Sequence, residues 1–240
     1  MALPKLNDMP KYSVTIPSIK EEVRVRPFVV KEEKILLIAM ESQDPKQIAN
    51  AILETVVSCT ETKQDHRMWH NLTSYDVEYL FLQIRAKSVG EKTNVGIACQ
   101  KCNEVNEVEV NLNEIKVQGE IPDGKIKLSD SISIEMRPPS YMQIAENEKI
   151  ISDESTDIEK IFGIISASIN AVLTEDERIE FRDASESERM EFIESMSSAQ
   201  FDSIRKWVES QPSIKHRAKF ECSSCGHKND ILLEGMQSFF

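Results

Sequence analysis

The chain has 240 residues, 29% charged and 40% hydrophobic, which is typical of a soluble globular protein with one large or two small domains. Its net charge of −12 argues against a nucleic-acid partner, because phosphate binding relies on clustered Lys and Arg. No apolar run approaches the ~20 residues of a membrane span. No glycine-rich phosphate loop, catalytic histidine spacing or paired carboxylates indicate an enzyme or a small-molecule substrate.

The N-terminal third predicts a β-hairpin followed by helices. Apolar and polar residues alternate in residues 12–16 and 22–26, which is typical of paired strands. Capping residues and apolar stripes then predict three helices, near residues 31–40, 45–56 and 74–84. Asp44 and Pro45 are suited to open the second of these helices. The polar segment from about 60 to 71 is predicted to be a loop.

The central part of the chain predicts strands and then helices. The first cysteine pair, Cys99 and Cys102, lies between strand-like runs, and two more short strands are predicted between residues 126 and 136. Four helices should follow Pro139, over Tyr141–Ile150, Ile158–Leu173, Glu186–Met196 and Gln200–Val208. Ser185 and Glu188 form a candidate capping box. The acidic run 175–194 is a solvated helix face or a docking surface for a basic partner.

A second cysteine pair, Cys222 and Cys225, follows Pro212 and again lies between strand-like runs. Two C-x-x-C turns can supply the four sulfurs of a tetrahedral structural zinc site. About 119 residues separate the pairs, and closing so long a loop costs on the order of 5 kcal/mol. Metal binding supplies about 10–16 kcal/mol, so the sequence predicts one shared Zn²⁺ site.

Three alternatives to zinc remain open. A redox C-x-x-C wants a helix after it, whereas residues 104–108 alternate as a strand does. Disulfides need an oxidising compartment, and no secretory signal precedes the chain. The pairs could also be unrelated reduced thiols. Cys59 is predicted to be a buried core residue, and His227 is a substitute ligand that four cysteines make unnecessary.

Several stretches of the chain are distinctive in combination. They are the N-terminal Met-Ala-Leu-Pro-Lys-Leu, the run from Arg26 to Lys34 with Met-Glu-Ser at 40–42, the segments Asp76–Phe81 and Arg85–Glu91, and the ending Leu233–Phe240. Together these stretches resemble the baseplate hub subunits of T-even-type contractile-tailed phages. The resemblance implies a structural protein of the virion tail baseplate, made in the host bacterial cytoplasm and needed for hub and tail assembly. A closely allied group is described as hub assembly catalysts, which is the alternative. An adaptor-type binding module or an enzyme is less consistent with these residues.

The resemblance implies other baseplate hub or tape-measure proteins as partners, and two segments are candidates for contacting them. Arg24, Arg26 and Phe28, with Lys31 nearby, form a basic cluster that contacts a neighbouring protein or pairs locally with Glu32 and Glu33. The terminal Phe239 and Phe240 either anchor in a partner's pocket or fold back onto this chain's own sheet.

Together these observations predict an α+β fold. It should have an N-terminal β-hairpin and helices, a zinc-knuckle β region that joins the two chain ends, and an inserted strand-plus-helical domain. The predicted domains are residues 1–117 plus 212–240, and residues 118–211.

Overall fold

The computed structural model describes residues 9–61, 67–152 and 154–239. Helices and antiparallel sheets make up the chain, so the predicted α+β class is confirmed. The chain divides into two compact units. Unit 1 comprises Met1–Trp69, Tyr75–Gln118 and Ser213–Phe240, and unit 2 comprises His70–Ser74 and Gly119–Pro212.

The N-terminal hairpin forms as its alternation predicts. Strands β1 (Tyr12–Thr15) and β2 (Glu22–Val25) pair antiparallel and bury alternate side chains. A short strand, β3 (Thr60–Glu61), joins the free edge of β2. The predicted loop over 60–71 is therefore wrong at Thr60, whose buried hydroxyl donates to the carbonyl of Val56.

The predicted N-terminal helices are present, with one short addition. The helices are α1 (Val30–Ser42), α2 (Pro45–Cys59), α3 (Arg67–Asn71) and α4 (Ser74–Ser88). Asp44 caps α2 by accepting from the N–H of Lys46 at 2.9 Å. Helix α3 was not expected from its polar sequence; it carries the buried Trp69.

Three strands follow in unit 1: β4 (Lys92–Ala98), β5 (Val105–Asn111) and β6 (Lys116–Gln118). Strands β4 and β5 form an antiparallel hairpin with Cys99 and Cys102 in its turn. Val95, Ile97 and Val110 are buried on one face of this hairpin. The opposite face carries charged residues in water, as the strand alternation requires.

Unit 2 is a four-stranded antiparallel sheet with helices. Its strands are β7 (Lys125–Lys127), β8 (Ser133–Met136), β9 (Ile169–Leu173) and β10 (Arg178–Glu180), in the order β10-β9-β8-β7. Its helices are α5 (Tyr141–Ala145), α6 (Glu148–Ile151), α7 (Asp157–Ser168), α8 (Glu186–Glu194) and α9 (Ser198–Glu209). The core of this unit includes Ile134, Ile165 and Trp207.

Two of the four predicted helices of this unit differ from the structure. The predicted helix Tyr141–Ile150 is two helices, because Asn147 caps α6 by accepting from the N–H of Lys149 at 3.1 Å. The predicted helix Ile158–Leu173 ends at Ser168, and its last five residues are strand β9 between β8 and β10. The capping box at Ser185 and Glu188 is confirmed.

The chain returns to unit 1 through β11 (Ser213–Glu221) and β12 (Lys228–Glu234), which pair antiparallel. Strand β11 also pairs with β6, so the last strands join a strand about 100 residues earlier in the chain. A core beneath these strands includes Leu82 of α4, Ile97 of β4 and Ala218 of β11. The cysteine pairs lie in the turns of two hairpins that share this core.

Candidate metal centre

The two cysteine turns have the same backbone structure. The N–H of Cys99 donates to the carbonyl of Glu104 at 2.8 Å, and the N–H of Asn103 donates to the carbonyl of Cys99 at 2.9 Å. The second turn repeats both bonds: Cys222 N–H donates to His227 and Gly226 N–H donates to Cys222, each at 2.9 Å.

The residue after each second cysteine adopts the left-handed conformation. Asn103 has φ 58° and Gly226 has φ 67°. Glycine and asparagine are the residues that reach this region most readily. This reversal lets both sulfurs of a pair point to the same side of the turn.

The two turns bring their four sulfurs together. The Sγ atoms of Cys99 and Cys225 are 3.7 Å apart, and those of Cys102 and Cys222 are 3.6 Å apart. All four sulfurs lie within 4.8 Å of one another. Cys99 and Cys222 are buried, whereas Cys102 and Cys225 are exposed, so the cluster lies at the protein surface. The structure therefore unites all four cysteines that the sequence pairs.

Two buried asparagines connect the turns reciprocally. Asn229, behind the second turn, donates through Nδ2 to the sulfur of Cys99 at 3.6 Å and accepts from the N–H of Gln100 at 2.9 Å. Its amide also donates to the carbonyl of His227 at 3.0 Å. The bonds to Cys99 and Gln100 join the second turn to the first, and the bond to His227 holds the Asn229 side chain in place.

Asn106 makes the equivalent bonds in the opposite direction. Its Nδ2 donates to the sulfur of Cys222 at 3.6 Å, and its Oδ1 accepts from the N–H of Ser223 at 2.9 Å. The same amide donates to the carbonyl of Glu104 at 2.8 Å. The two turns are thus related by local pseudo-twofold symmetry. The asparagine that follows each turn donates to the first cysteine of the other turn.

This pair of asparagines was missed by the sequence reasoning, although the sequence carries a signal. Both turns read C-x-x-C-x-x-x-N, as Cys99 to Asn106 and as Cys222 to Asn229. A polar residue that falls on the buried face of a strand needs hydrogen-bond partners. The repeated spacing therefore indicates a second pair of site residues beside the cysteines.

The electrostatics of the cluster differ between the cysteines. Burial raises the pKa of the Cys99 thiol, but the N–H of Lys101 and other donors outweigh it and lower that pKa to about 6. At Cys102 the N–H of Glu104 lowers the pKa, but the neighbouring cysteine sulfurs raise it to about 12. Hydrogen bonding with the neighbouring sulfurs therefore favours the protonated Cys102 thiol, whereas a cation among the sulfurs would favour its thiolate.

The donor set fits a single tetrahedral metal ion. With metal–sulfur distances of about 2.3 Å, as for Zn²⁺, the sulfurs of a regular tetrahedron lie about 3.8 Å apart. The cysteine sulfurs approach this separation in the two contacts given above. The asparagine N–H groups suit thiolates, which accept hydrogen bonds. Four protein ligands would leave no open position for substrate, so such an ion would have a structural role.

The other predicted site residues lie elsewhere in unit 1. Arg24 is exposed on β2. Arg26 pairs with the buried carboxylate of Glu32 at 2.9 Å and donates to the carbonyl of Ser58 at 3.0 Å. The hydrogen bond with Glu32 raises the pKa of Arg26. Phe28 is half-buried, and its N–H donates to the hydroxyl of Ser88 at 2.9 Å.

Phe239 is fully buried in the core of unit 1. Its ring packs edge-on against His216, with centroids 6.4 Å apart. The N–H of Met236, in the same C-terminal turn, donates to the half-buried carboxylate of Glu78 at 3.1 Å. Of the two alternatives for the tail, self-packing describes Phe239. Phe240 lies outside the described residues. Cys59 is buried, as its apolar surroundings predict.

These features define a protein whose recognisable site is a closed cysteine cluster that joins distant parts of the chain. No described helix is long and apolar enough to cross a membrane. The model of the family described as T4 bacteriophage base plate protein matches residues 9–240. The chain belongs to this family, and a role among the proteins of the phage tail baseplate follows from that membership. No curated protein and no solved structure matches it.

Proposed function

We propose that the protein is a structural component of the central hub of a phage tail baseplate, needed for hub and tail assembly, and that one zinc ion holds its fold together. The observation that carries this proposal is the closed cluster of Cys99, Cys102, Cys222 and Cys225 in a member of a baseplate family. A closed cluster supplies stability instead of chemistry. This is what a non-enzymatic assembly component requires.

Zinc is the metal that the cluster suits best. Tetrahedral sites with four thiolates hold zinc or iron–sulfur centres. All four sulfurs lie within 4.8 Å of one another, which fits one ion, because thiolates bound to different irons of a multi-iron cluster lie further apart. The site would act in a reducing host cytoplasm, where thiols remain available for metal.

The hub assignment is supported by how the hub-like stretches meet in unit 1. The N–H of Phe28 donates to Ser88 at 2.9 Å, and the N–H of Met236 donates to Glu78 at 3.1 Å. Segments far apart in the chain that resemble hub subunits are thus joined by hydrogen bonds. We infer that they form one functional domain, residues 1–117 plus 212–240, and that residues 118–211 form an inserted second domain.

The test is to quantify the protein in purified virions by mass spectrometry, beside a baseplate protein of known copy number. A fixed number of copies per baseplate supports the hub subunit. Absence from virions, together with arrested hub assembly when the gene is deleted, supports the alternative, a transient assembly catalyst or chaperone. Normal tails after deletion would contradict both.

Partners would be other hub or tape-measure proteins. Arg24 and Lys31 of the predicted contact cluster are exposed, so a partner could reach them without disrupting the fold. Arg26 is occupied by Glu32. Crosslinking of assembled hubs through Arg24→Cys, with Lys219→Cys as an exposed control on β11 of the same unit, would test this contact.

A further inference from the structure

Helix α1 exposes more apolar surface than a solvent-facing helix needs. Val30 is 77% exposed, Leu37 55%, Ile38 54% and Met40 57%. The opposite side of the same helix is also occupied, since Ala39 and the ion-paired Glu32 are buried. A helix with apolar residues on both sides is usually covered on both sides. Among the residues that the structure describes, none covers the exposed side of α1.

The exposed residues follow a helical repeat. Val30 and Leu37 are seven residues apart, and Met40 lies one turn beyond Leu37, so the three share a stripe. Lys34 and Glu41 are also seven apart and lie along one flank of that stripe. Neither side chain forms an ion pair with any residue that the structure describes, and both are exposed.

Lys34 and Glu41 on this flank would each meet an opposite charge if a second copy of the helix packed against it in the reverse direction. When two such helices pack antiparallel, each Leu37 meets Met40 of the second copy. The same register places each Lys34 opposite Glu41 of the second copy, and it does so twice because the arrangement has twofold symmetry. Lys34 lies three residues before Leu37 and Glu41 lies four residues after it, so an antiparallel second copy brings opposite charges together on the same flank, which an unrelated partner gives no reason to expect.

We propose that α1 is a self-association surface, on which α1 of a second copy of this chain packs antiparallel. The exposed apolar stripe is on the order of a few hundred Å², which is less than the roughly 800 Å² per partner of a standard interface. The dimer is therefore weak and concentration-dependent in solution, and it forms fully where copies are concentrated in an assembly. This inference stands independently of the hub assignment, because it concerns the purified protein.

The experiment is sedimentation velocity of the full-length protein over a wide concentration range. The parent protein should shift reversibly from monomer to dimer. Lys34→Glu creates two facing carboxylate pairs and should raise the dimer dissociation constant about tenfold or more. Glu41→Lys should do the same. The charge-exchanged double variant Lys34→Glu/Glu41→Lys should restore the parent dissociation constant within about threefold.

Leu37→Asp should abolish the dimer, and Leu232→Asp is its matched control, because Leu232 is a similarly exposed leucine on β12. Circular dichroism of each variant verifies that the monomer remains folded. A parent protein that stays monomeric at its highest soluble concentration overturns the proposal. So does a dimer that survives Leu37→Asp, or a double variant that dimerises no better than the single ones.

Discussion

Asn229 offers the sharpest test of how the cysteine cluster is supported. Its side chain is buried and makes three hydrogen bonds: one to the Cys99 sulfur, one from the Gln100 N–H and one to the His227 carbonyl. Asn229→Ala removes all three. A typical hydrogen bond contributes about 1 kcal/mol, and one to a charged group about 1.5–3 kcal/mol. The variant should therefore lose on the order of 3–5 kcal/mol of stability in the metal-bound protein.

The same change should weaken metal binding. Substituting a residue that hydrogen-bonds to a metal ligand typically costs about 10–100-fold in affinity. Competition with a chromophoric chelator measures the affinity, and thermal unfolding measures the stability. Asn106→Ala should give a loss of similar size, because Asn106 makes the equivalent contacts to Cys222 and Ser223. Asn229→Asp should be worse than alanine, since a carboxylate cannot donate to a thiolate and repels it.

Asn94→Ala is the matched control, because Asn94 is exposed on β4 of the same unit. This variant should keep the parent's metal affinity and melting temperature. If Asn229→Ala retained metal as tightly as Asn94→Ala and melted at the same temperature, the reciprocal asparagines would have no part in the site.

Three further predictions concern the rest of unit 1. Burial raises the pKa of Glu78 to about 7 from 4.5, so the free energy of unfolding falls as pH rises from about 4.5 to 7 and this carboxyl ionises. In urea unfolding, Glu78→Gln should stabilise the protein by about 3 kcal/mol at pH 8 and by under about 1 kcal/mol at pH 5. An equal effect at both pH values would contradict the assignment. Arg26→Glu should lower the free energy of unfolding by about 3 kcal/mol or more, because the change leaves the buried Glu32 carboxylate unpaired. Arg24→Glu, at an exposed position, should change that free energy by less than about 0.5 kcal/mol. Equal effects of the two variants would show that the buried pair does not matter. Truncation after Glu234 removes the buried Phe239 and should lower the melting temperature of the isolated protein, since losing a core phenylalanine costs about 3–5 kcal/mol of stability. An unchanged melting temperature would restore the docking hypothesis for the tail.

Local signals in the sequence predict much of this fold. Capping requires residues only a few positions apart, so Asp44 and the Ser185 box could be recognised without knowing their surroundings. The N-terminal hairpin follows from alternation over a short span. The cysteines could be grouped because a metal ligand set has a restricted chemistry, even over the long separation of the two pairs.

Features that depend on distant partners could not be predicted in the same way. Residues 169–173 form a mostly apolar run directly after a helix, and such a run is compatible with helix or strand until its neighbours are known. Strand β9 exists because β8 and β10 pair with both of its edges. The roles of Asn106 and Asn229 likewise require that the two turns face each other. Phe239 is buried by a core that combines residues from Tyr75–Gln118 with residues from Ser213–Phe240.

The most direct test of the central claim is the metal content and thiol reactivity of the purified protein. Elemental analysis should find one zinc per chain in the parent and in Cys59→Ala, which lacks the buried cysteine outside the cluster. Cys99→Ser should bind well under one equivalent, melt at a lower temperature and become sensitive to protease. Chelation should make the four cluster thiols reactive. A parent protein with far less than one equivalent of metal, and with all four thiols freely reactive, would contradict the account.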